Sequence, residues 1–172
     1  MLFIAKSLRE LNFRQLMDVY EEGNRENARE LYPHLPEGQK IAEAEQDFYA
    51  FLKEGFFGNP EAFYGVWIED GHYVSAMRME PYRDGWLLEA VETKPSCRRQ
   101  GYAYKLMDAV LNFVQTGKVY SHIHKNNLSS QKLHEALGFR RCSDRAVYID
   151  GSVNDRCATY VLELGEKVCP KK

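Results

Sequence analysis

The sequence predicts a mixed α/β domain with a mostly antiparallel central sheet of about six to seven strands and about four flanking helices. Two observations support this fold class. Apolar residues follow strand spacing in some segments and helix spacing in others, and glycine or proline separates most of these segments. Between two strand-like segments lies Asp70-Gly71, a dipeptide typical of the tight turn that joins antiparallel strands.

The first third of the chain combines one short strand with two helices. Residues 2–8 predict the strand, and the apolar spacing from Phe13 predicts a helix that Asn12 caps and Gly23 ends. Residues 24–38 are polar and contain two prolines, which predicts a loop. The second helix has an apolar face made of Ile41, Ala44, Phe48, Phe51 and Leu52.

Strands dominate the remainder of the chain, with two helices inserted between them. Alternating apolar residues and turn residues place the predicted strands at about 62–69, 73–80, 86–94, 118–124, 139–149 and 157–164. The first of the two helices has a core face made of Ala103, Leu106, Met107, Val110 and Val114. The second helix spans about 128–137. We expect residues 1–166 to form one domain, followed by a disordered tail over 167–172.

Composition and charge argue against several classes of protein. The formal net charge is −2, whereas a nucleic-acid-binding domain is normally basic. The four cysteines include no C-x-x-C pair, so the sequence predicts neither a zinc site nor a redox pair. No apolar stretch has the length of a membrane span, and the first one is too short for a signal peptide. We therefore expect a cytoplasmic protein without nucleic-acid or membrane partners, and a homodimer stays an open alternative.

The segment from Arg98 to Ala103 is suited to binding a phosphate. It connects a predicted strand to a predicted helix, where free backbone N–H groups and the positive end of the helix dipole point at one spot. Gly101 and Ala103 leave room for an anion to approach the backbone. Four basic residues and no acidic residue lie between positions 94 and 105. The sequence therefore predicts a site for a phosphorylated cofactor.

Two motifs flank the helix and strand that follow this turn. The first is Pro95-x-x-Arg98-x-x-Gly101-x-Ala103. The second begins at Asn127 and ends with Leu133-His134-Glu135-Ala136-Leu137-Gly138-Phe139. In this order they resemble the acetyl-CoA signature R/Q-x-x-G-x-G/A and the signature N-x-x-A-x-x-L-Y-x-x-x-G-F of the GNAT N-acetyltransferase superfamily. The predicted element order is also similar to that of this family, so the resemblance implies the GNAT fold.

The resemblance implies acetyl-CoA as co-substrate and implies which residues bind each part of it. Backbone groups of Val91, Glu92 and Thr93 would pair with the pantetheine arm like an extra strand. Asn127 and Ser130 would contact the cofactor from the second helix. The turn and the start of its helix would bind the pyrophosphate, and the residues concerned are Arg98, Arg99, Gln100, Gly101, Tyr102, Ala103 and Tyr104. No metal is implied, and His122-x-His124 lacks an evident third ligand.

His134 is the main departure from the family pattern. It stands where the family usually has a tyrosine, often proposed to protonate the departing CoA thiolate. A histidine can donate a proton near neutral pH, so His134 is one candidate for this acid. The alternative is a histidine on the helix surface, with the proton supplied by another group or by solvent.

The general base has several candidates. Glu89 and Glu92 lie on the predicted strand before the turn, and the alternation of side chains places them on opposite faces. His122 and His124 share one face of the next strand with Tyr120, beside the expected cofactor cleft. Each histidine is either a base or part of an ordinary polar strand face.

The residues and the resemblance together predict an acetyl-CoA-dependent N-acetyltransferase. Its acceptor would be a primary amine of a small molecule or peptide, which attacks directly in a ternary complex. The backbone N–H of Val91 or Glu92 would stabilise the oxygen that gains negative charge. Two alternatives stay open: a non-catalytic acyl-CoA-binding or regulatory domain, and a transferase for a different acyl-CoA.

Overall fold

The computed structural model describes residues 1–165. Its strands are β1 (Leu2–Ala5), β2 (Phe63–Glu69), β3 (His72–Tyr82), β4 (Gly85–Thr93), β5 (Gly117–His124), β6 (Arg140–Ser143), β7 (Ala146–Val147), β8 (Val153–Asn154) and β9 (Cys157–Leu164). Its α-helices are α1 (Phe13–Val19), α2 (Glu21–Leu31), α3 (Glu37–Ala50), α4 (Tyr102–Val114) and α5 (Leu128–Ala136). A π-helical turn, Phe51–Gly55, extends α3.

Seven strands form one sheet in the order β1-β2-β3-β4-β5-β9-β6. The β4–β5 pair is parallel, and the other neighbouring strands are antiparallel. The predicted mixed α/β class, with a mostly antiparallel sheet, is therefore confirmed, although the helices number five and not about four.

Helices cover both faces of the sheet. On one face, Leu16 and Tyr20 of α1 join Leu52 and Phe56 in a buried cluster that includes Tyr64 of β2. On the other face, the apolar side of α4 packs on β2, β3 and β4. The buried residues of α4 are Leu106, Met107, Val110 and Leu111. Three of the five predicted core residues are thus buried, whereas Ala103 and Val114 are half-buried and Leu111 was not predicted. The sheet thus separates two compartments, one on the α1–α3 side and one on the α4 side.

The predicted loop over residues 24–38 is wrong, because most of this segment is α2. Gly23 lies in the first turn of α2 and does not end a helix. The helix buries only Asn24 and Ala28, so its sequence lacks the apolar periodicity that reveals most helices. An ion pair of 2.7 Å between Arg25 and Glu21, one turn apart, supports it instead.

The predicted strand over 139–149 is also wrong in part. Strand β6 ends at Ser143, whose hydroxyl accepts from the N–H of Arg145 at 3.2 Å and donates to its carbonyl at 3.0 Å. This local turn diverts the chain from the sheet. Strands β7 and β8 then form a separate two-stranded sheet.

No helix within residues 1–165 is long and apolar enough to cross a membrane. The predicted disordered tail, residues 167–172, lies outside the described residues.

Candidate active site

Strands β4 and β5 diverge along their length. Their parallel pairing runs from Gly85–Lys118 to Leu88–Ser121 and goes no further within the described chain. A cavity of about 180 Å³ lies between the diverging halves and the start of α5. Its lining comprises Leu88, Glu89, Ala90, Val91, Glu92, Ser121, His122, Ile123, His124, Asn127, Ser130 and His134.

The paired end of the two strands is held very close. A Cβ placed on Gly85 would lie 2.1 Å from the carbonyl oxygen of Lys118, a distance that no side chain tolerates. Glycine is therefore required where the two backbones approach, and the strands separate only from that fixed end.

A β-bulge at Ala90 marks the beginning of the open end. Ala90 has a φ of 49°, in the left-handed region. The register with β3 shifts there, because Arg78 pairs with Glu89 whereas Ala76 pairs with Glu92. The hydroxyl of Tyr20, the residue that follows α1, donates to the Ala90 carbonyl at 2.8 Å and so stabilises the bulged backbone.

The bulge places Glu89 and Glu92 on the same face of the sheet. Their partners, Arg78 and Ala76, are two residues apart on β3 and therefore share a face. The expectation of opposite faces is wrong, because the extra residue of a bulge interrupts the alternation of side chains. Both carboxylates belong to the α1–α3 side.

Backbone N–H groups of β4 face the gap. The N–H of Lys94 donates to the carbonyl of Val74 on β3 at 2.9 Å, and the Glu92 carbonyl accepts from Ser75 Oγ at 2.6 Å. Because backbone direction alternates along a regular strand, Thr93 turns its N–H group away from β3 and towards the gap. The gap is thus bordered by strand backbone that has no strand partner.

The N-terminus of α4 lies beyond the open end of β4. Its N-cap, Gly101, has a φ of 78° and provides no side-chain cap, and Arg99 has a φ of 63°. The first backbone bond of the helix joins the N–H of Lys105 to the Gly101 carbonyl at 3.0 Å. Within residues 1–165 the N–H groups of residues 99–104 have no hydrogen-bond acceptor, so this turn offers a row of donors to an anion.

The predicted cofactor-binding side chains divide into two groups. Arg98 is tied to the protein: it donates to the Thr93 carbonyl at 3.2 Å, forms an ion pair with Glu22 at 2.6 Å and lies 3.9 Å from Glu92. The remaining side chains of the turn are turned outward. Arg99, Gln100 and Tyr104 are exposed, while Tyr102 packs under Lys105 and Ala103 is half-buried.

Asn127 and Ser130 lie at the start of α5 and line the cavity. The Asn127 side chain is the N-cap, since its Oδ1 accepts from the N–H of Ser130 at 3.0 Å. This bond fixes the entry of α5 beside the open end of β5. The second motif therefore positions the helix that carries His134.

His134 is buried, with 2% of its surface exposed, so the alternative of a helix-surface histidine is wrong. Its Nδ1 lies 2.8 Å from the Ser130 carbonyl, which can only accept, so Nδ1 carries a hydrogen. Within the described residues Nε2 is buried without a partner. Burial lowers the pKa of His134, and the Ser130 carbonyl opposes this effect only in part.

The other predicted base candidates on β5 are engaged elsewhere. His122 contacts Thr159 Oγ1 through Nδ1 at 3.1 Å and the Val147 carbonyl through Nε2 at 3.2 Å. His124 is exposed, and its Nδ1 accepts from the N–H of Asn126 at 3.2 Å. Tyr120 donates to Asp84 at 2.6 Å and does not line the cavity. Burial lowers the pKa of His122.

The two glutamates of β4 have different surroundings. Glu89 lies 3.7 Å from Arg78, and both side chains are largely buried. Glu92 is more exposed and lies against Arg98. Burial raises the pKa of Glu92, and the Arg98 guanidinium offsets part of that effect. Arg78 and Glu80 were not predicted as site residues. The signal for them is that two charged residues lie in a largely apolar strand, β3.

The comparison with protein families agrees with this geometry. The model of the GNAT acetyltransferase family matches residues 14–139. The chain belongs to this family. The predicted GNAT fold is thereby confirmed, together with the coarser prediction of an acyltransferase. The described residues contain no group of metal-ligating side chains that could hold an ion.

Solved GNAT structures share the fold at low sequence identity. The ribosomal-protein-S18-alanine N-acetyltransferase from Escherichia coli has a TM-score of 0.61 and 16% identity, over 98% of this chain and 99% of that one. An acetyltransferase from Streptococcus agalactiae has a TM-score of 0.64 and 16% identity, over 95% and 98%. The PaiA N-acetyltransferase from Thermoplasma acidophilum, solved with coenzyme A, has a TM-score of 0.61 and 11% identity, over 95% and 99%. No curated protein matches the chain in sequence.

Proposed function

We propose that this GNAT protein transfers an acetyl group from acetyl-CoA to a primary amine of a small molecule or peptide, with both substrates bound together. The observation that carries the proposal is the junction of two features: the gap between β4 and β5, and the uncapped N-terminus of α4. An elongated ligand with a phosphorylated end matches that junction. The coenzyme A complex of the PaiA N-acetyltransferase supports the choice of ligand.

The residues present fit this co-substrate. The N–H groups of residues 99–104 lack acceptors among the described residues and would hold the pyrophosphate. The N–H groups of Val91 and Thr93 would bind the pantetheine arm. Acetyl-CoA supplies an activated thioester when bound. The thioester end of acetyl-CoA would then lie in the cavity, near Glu89 and His134.

Glu89 is the base that the geometry favours. It lines the cavity and lies on the α1–α3 side, opposite the face that α4 covers. Both ring nitrogens of His122 lie within hydrogen-bond distance of protein oxygens, the Thr159 hydroxyl and the Val147 carbonyl, so a substrate would have to displace one of these contacts. Glu92 lies against Arg98, which links it to Glu22 of α2. We therefore assign Glu92 a structural role, in which it connects β4 to α2 through Arg98.

His134 differs from an acid that is ready to donate. Its hydrogen is on Nδ1, so neutral Nε2 carries a lone pair, which is buried and has no partner among the described residues. Donation from Nε2 needs the doubly protonated ring, which burial disfavours. We propose that His134 contributes a hydrogen-bond acceptor at neutral pH and donates a proton only under acidic conditions.

Thiol release from acetyl-CoA in the presence of a panel of primary amines tests the function. We expect amine-dependent thiol release, together with CoA binding measured by calorimetry. If CoA binds but no amine yields thiol, the chain is a non-catalytic binding domain. If another acyl-CoA is turned over faster, the acetyl assignment is wrong and the transferase assignment stands.

A further inference from the structure

Three charged residues lie together on the α1–α3 face of β3 and β4. Arg78 pairs directly with Glu89 across the two strands, and Glu80 pairs with Leu87. Glu80 and Glu89 are therefore diagonal neighbours on one face, close enough for their side chains to meet. Of the two, Glu89 lines the cavity and Glu80 lies behind it, away from the gap.

One cation serves both carboxylates. The side chain of Arg78 is only 15% exposed, and its guanidinium lies 4.9 Å from the ring centre of Phe51 and 5.8 Å from that of Phe56. The aromatic rings fix the guanidinium beside Glu89, at an N–O distance of 3.7 Å. Arg78 can neutralise one negative charge, and residues 1–165 provide no ion pair for the second carboxylate, that of Glu80.

The surroundings of the second carboxyl group favour its protonated form. Burial, a hydrogen bond to Glu89 and the negative charge of Glu89 together raise the pKa of Glu80 to about 7, and Arg78 acts in the opposite direction. A hydrogen bond between two carboxyl groups requires that one of them is protonated. Two adjacent carboxylates in a partly buried site favour such sharing, because the doubly ionised form is repulsive.

We propose that Glu80 and Glu89 share a single proton and that this pair, not Glu89 alone, takes up the proton of the acceptor ammonium. This inference rests on the proposed function. In the doubly ionised pair an oxygen of Glu89 accepts the proton as the N–H bond breaks, and the electron pair stays on nitrogen for the attack. Glu80 then shares the proton, and the pair later releases it to water. Glu80 is a positioning residue, since it acts through Glu89.

Other titratable groups face this pair from the neighbouring elements. Tyr64 of β2, His122 of β5 and Tyr148, which follows β7, all interact electrostatically with Glu89. A substitution at Glu80 leaves all three in place, as well as Arg78. A change in titration after Glu80→Gln is therefore attributable to the loss of the shared proton.

The shared proton is tested first without any substrate. The side-chain carboxyl carbons of glutamate are labelled with ¹³C and titrated by NMR in the wild type, Glu80→Gln and Glu89→Gln, with Glu61→Gln as a control at an exposed position. We expect one carboxyl to titrate near pH 7 in the wild type and in the control, and none to do so in Glu80→Gln or Glu89→Gln. If Glu80 still titrates near pH 7 in Glu89→Gln, burial alone explains its behaviour and the pair does not exist.

The catalytic part is tested by the pH dependence of kcat/KM for the best amine. The wild type should lose activity as the pH falls through about 7, because the pair then already holds a proton. In Glu80→Gln this loss should move to lower pH, with unchanged affinity for CoA. An identical pH profile in the two proteins overturns the role of Glu80. If the NMR titration shows the pair but no amine is acetylated by the wild type, the proposed function fails and the shared proton stands.

Discussion

The two halves of the β4–β5 pair perform opposite tasks. In the closed half, from Gly85–Lys118 to Leu88–Ser121, backbone meets backbone so closely that a methyl group has no room. In the open half, the bulge at Ala90 and the separation of the strands leave polar backbone and carboxylates around a cavity. The same two strands are thus closely paired at one end and leave a gap for a ligand at the other.

The two halves also differ in what they contribute to the folded protein. The closed half contains Leu87 and Leu88, both fully buried, and contributes to stability. The open half gives up ladder hydrogen bonds and stores backbone strain at Ala90, which a structure maintains only where surrounding contacts enforce it. Substitutions should therefore separate the two halves into positions that affect folding and positions that affect binding.

The largest effect is expected where the open half meets α4. Gly101→Glu should weaken CoA binding by roughly 100-fold or more, because a carboxylate would repel the pyrophosphate at a helix N-terminus. Calorimetric titration with CoA measures this. The matched control is Gly71→Glu in the β2–β3 turn, since both glycines have a positive φ and open space around an added Cβ. The control should lose stability similarly and bind CoA normally. Equal CoA affinity in the two variants would remove the assigned pyrophosphate site.

The closed half should respond in folding and not in binding. Gly85→Ala should lower the free energy of unfolding by about 1–3 kcal/mol, because its Cβ would collide with the Lys118 carbonyl. Urea unfolding followed by circular dichroism checks this. Gly38→Ala, in α3 with nothing within 4 Å of the added Cβ, should raise it by roughly 0.5–1 kcal/mol. A stable Gly85→Ala protein would show that the two strands are not fixed at this end.

The bulge connects the two halves, and Tyr20 tests how firmly it is held. Tyr20→Phe removes the donor to the Ala90 carbonyl and should cost about 1 kcal/mol of stability. Affinity for CoA should also fall, by a smaller factor than in Gly101→Glu, since the bulge aims the N–H of Val91. Tyr49→Phe, at an exposed tyrosine on α3, is the control and should change neither quantity. Loss of stability without any change in CoA affinity would separate the bulge from binding.

The smallest effect is expected at His134 and depends on pH. Its pKa is lowered in the folded protein, so the unfolded chain binds a proton first as the pH falls through 6.5. Stability should therefore decrease between pH 7.5 and 5.5, and His134→Phe should reduce this decrease while leaving CoA affinity largely intact. Unfolding curves at both pH values measure the difference. The control is His72→Phe, at an exposed histidine. An unchanged pH dependence in His134→Phe would contradict the buried neutral ring.

Local chemistry in the sequence predicted much of the fold and of the helix ends that border the candidate site. Asn12 and Asn127 cap α1 and α5 through contacts three residues away, and Gly101 begins α4 with a positive φ. Each of these features depends on neighbouring residues alone. The resemblance of two short motifs then indicated the family, and the family model matches the chain over residues 14–139.

Features that depend on strand register could not be predicted in this way. The bulge at Ala90 follows from pairing with β3 and from Tyr20, 70 positions earlier in the chain. For this reason alternation placed Glu89 and Glu92 on opposite faces, whereas they share one. The same limit concealed the pairing of Arg78 with Glu89, because the two residues become neighbours only when β3 and β4 align. The burial of His134 likewise depends on packing against Phe139.

The bulge at Ala90 also changes which face of the sheet each following residue of β4 occupies. Before Ala90, every second residue of β4 faces the α1–α3 side of the sheet; after it, the alternation starts again one residue later. If β4 kept Ala90 without a bulge, regular alternation from Glu89 would direct Glu92 towards the α4 side and Val91 towards the α1–α3 side. The bulged backbone at Ala90 thus decides which face of the sheet each of the last three residues of the strand occupies, although the alanine side chain takes no part in it.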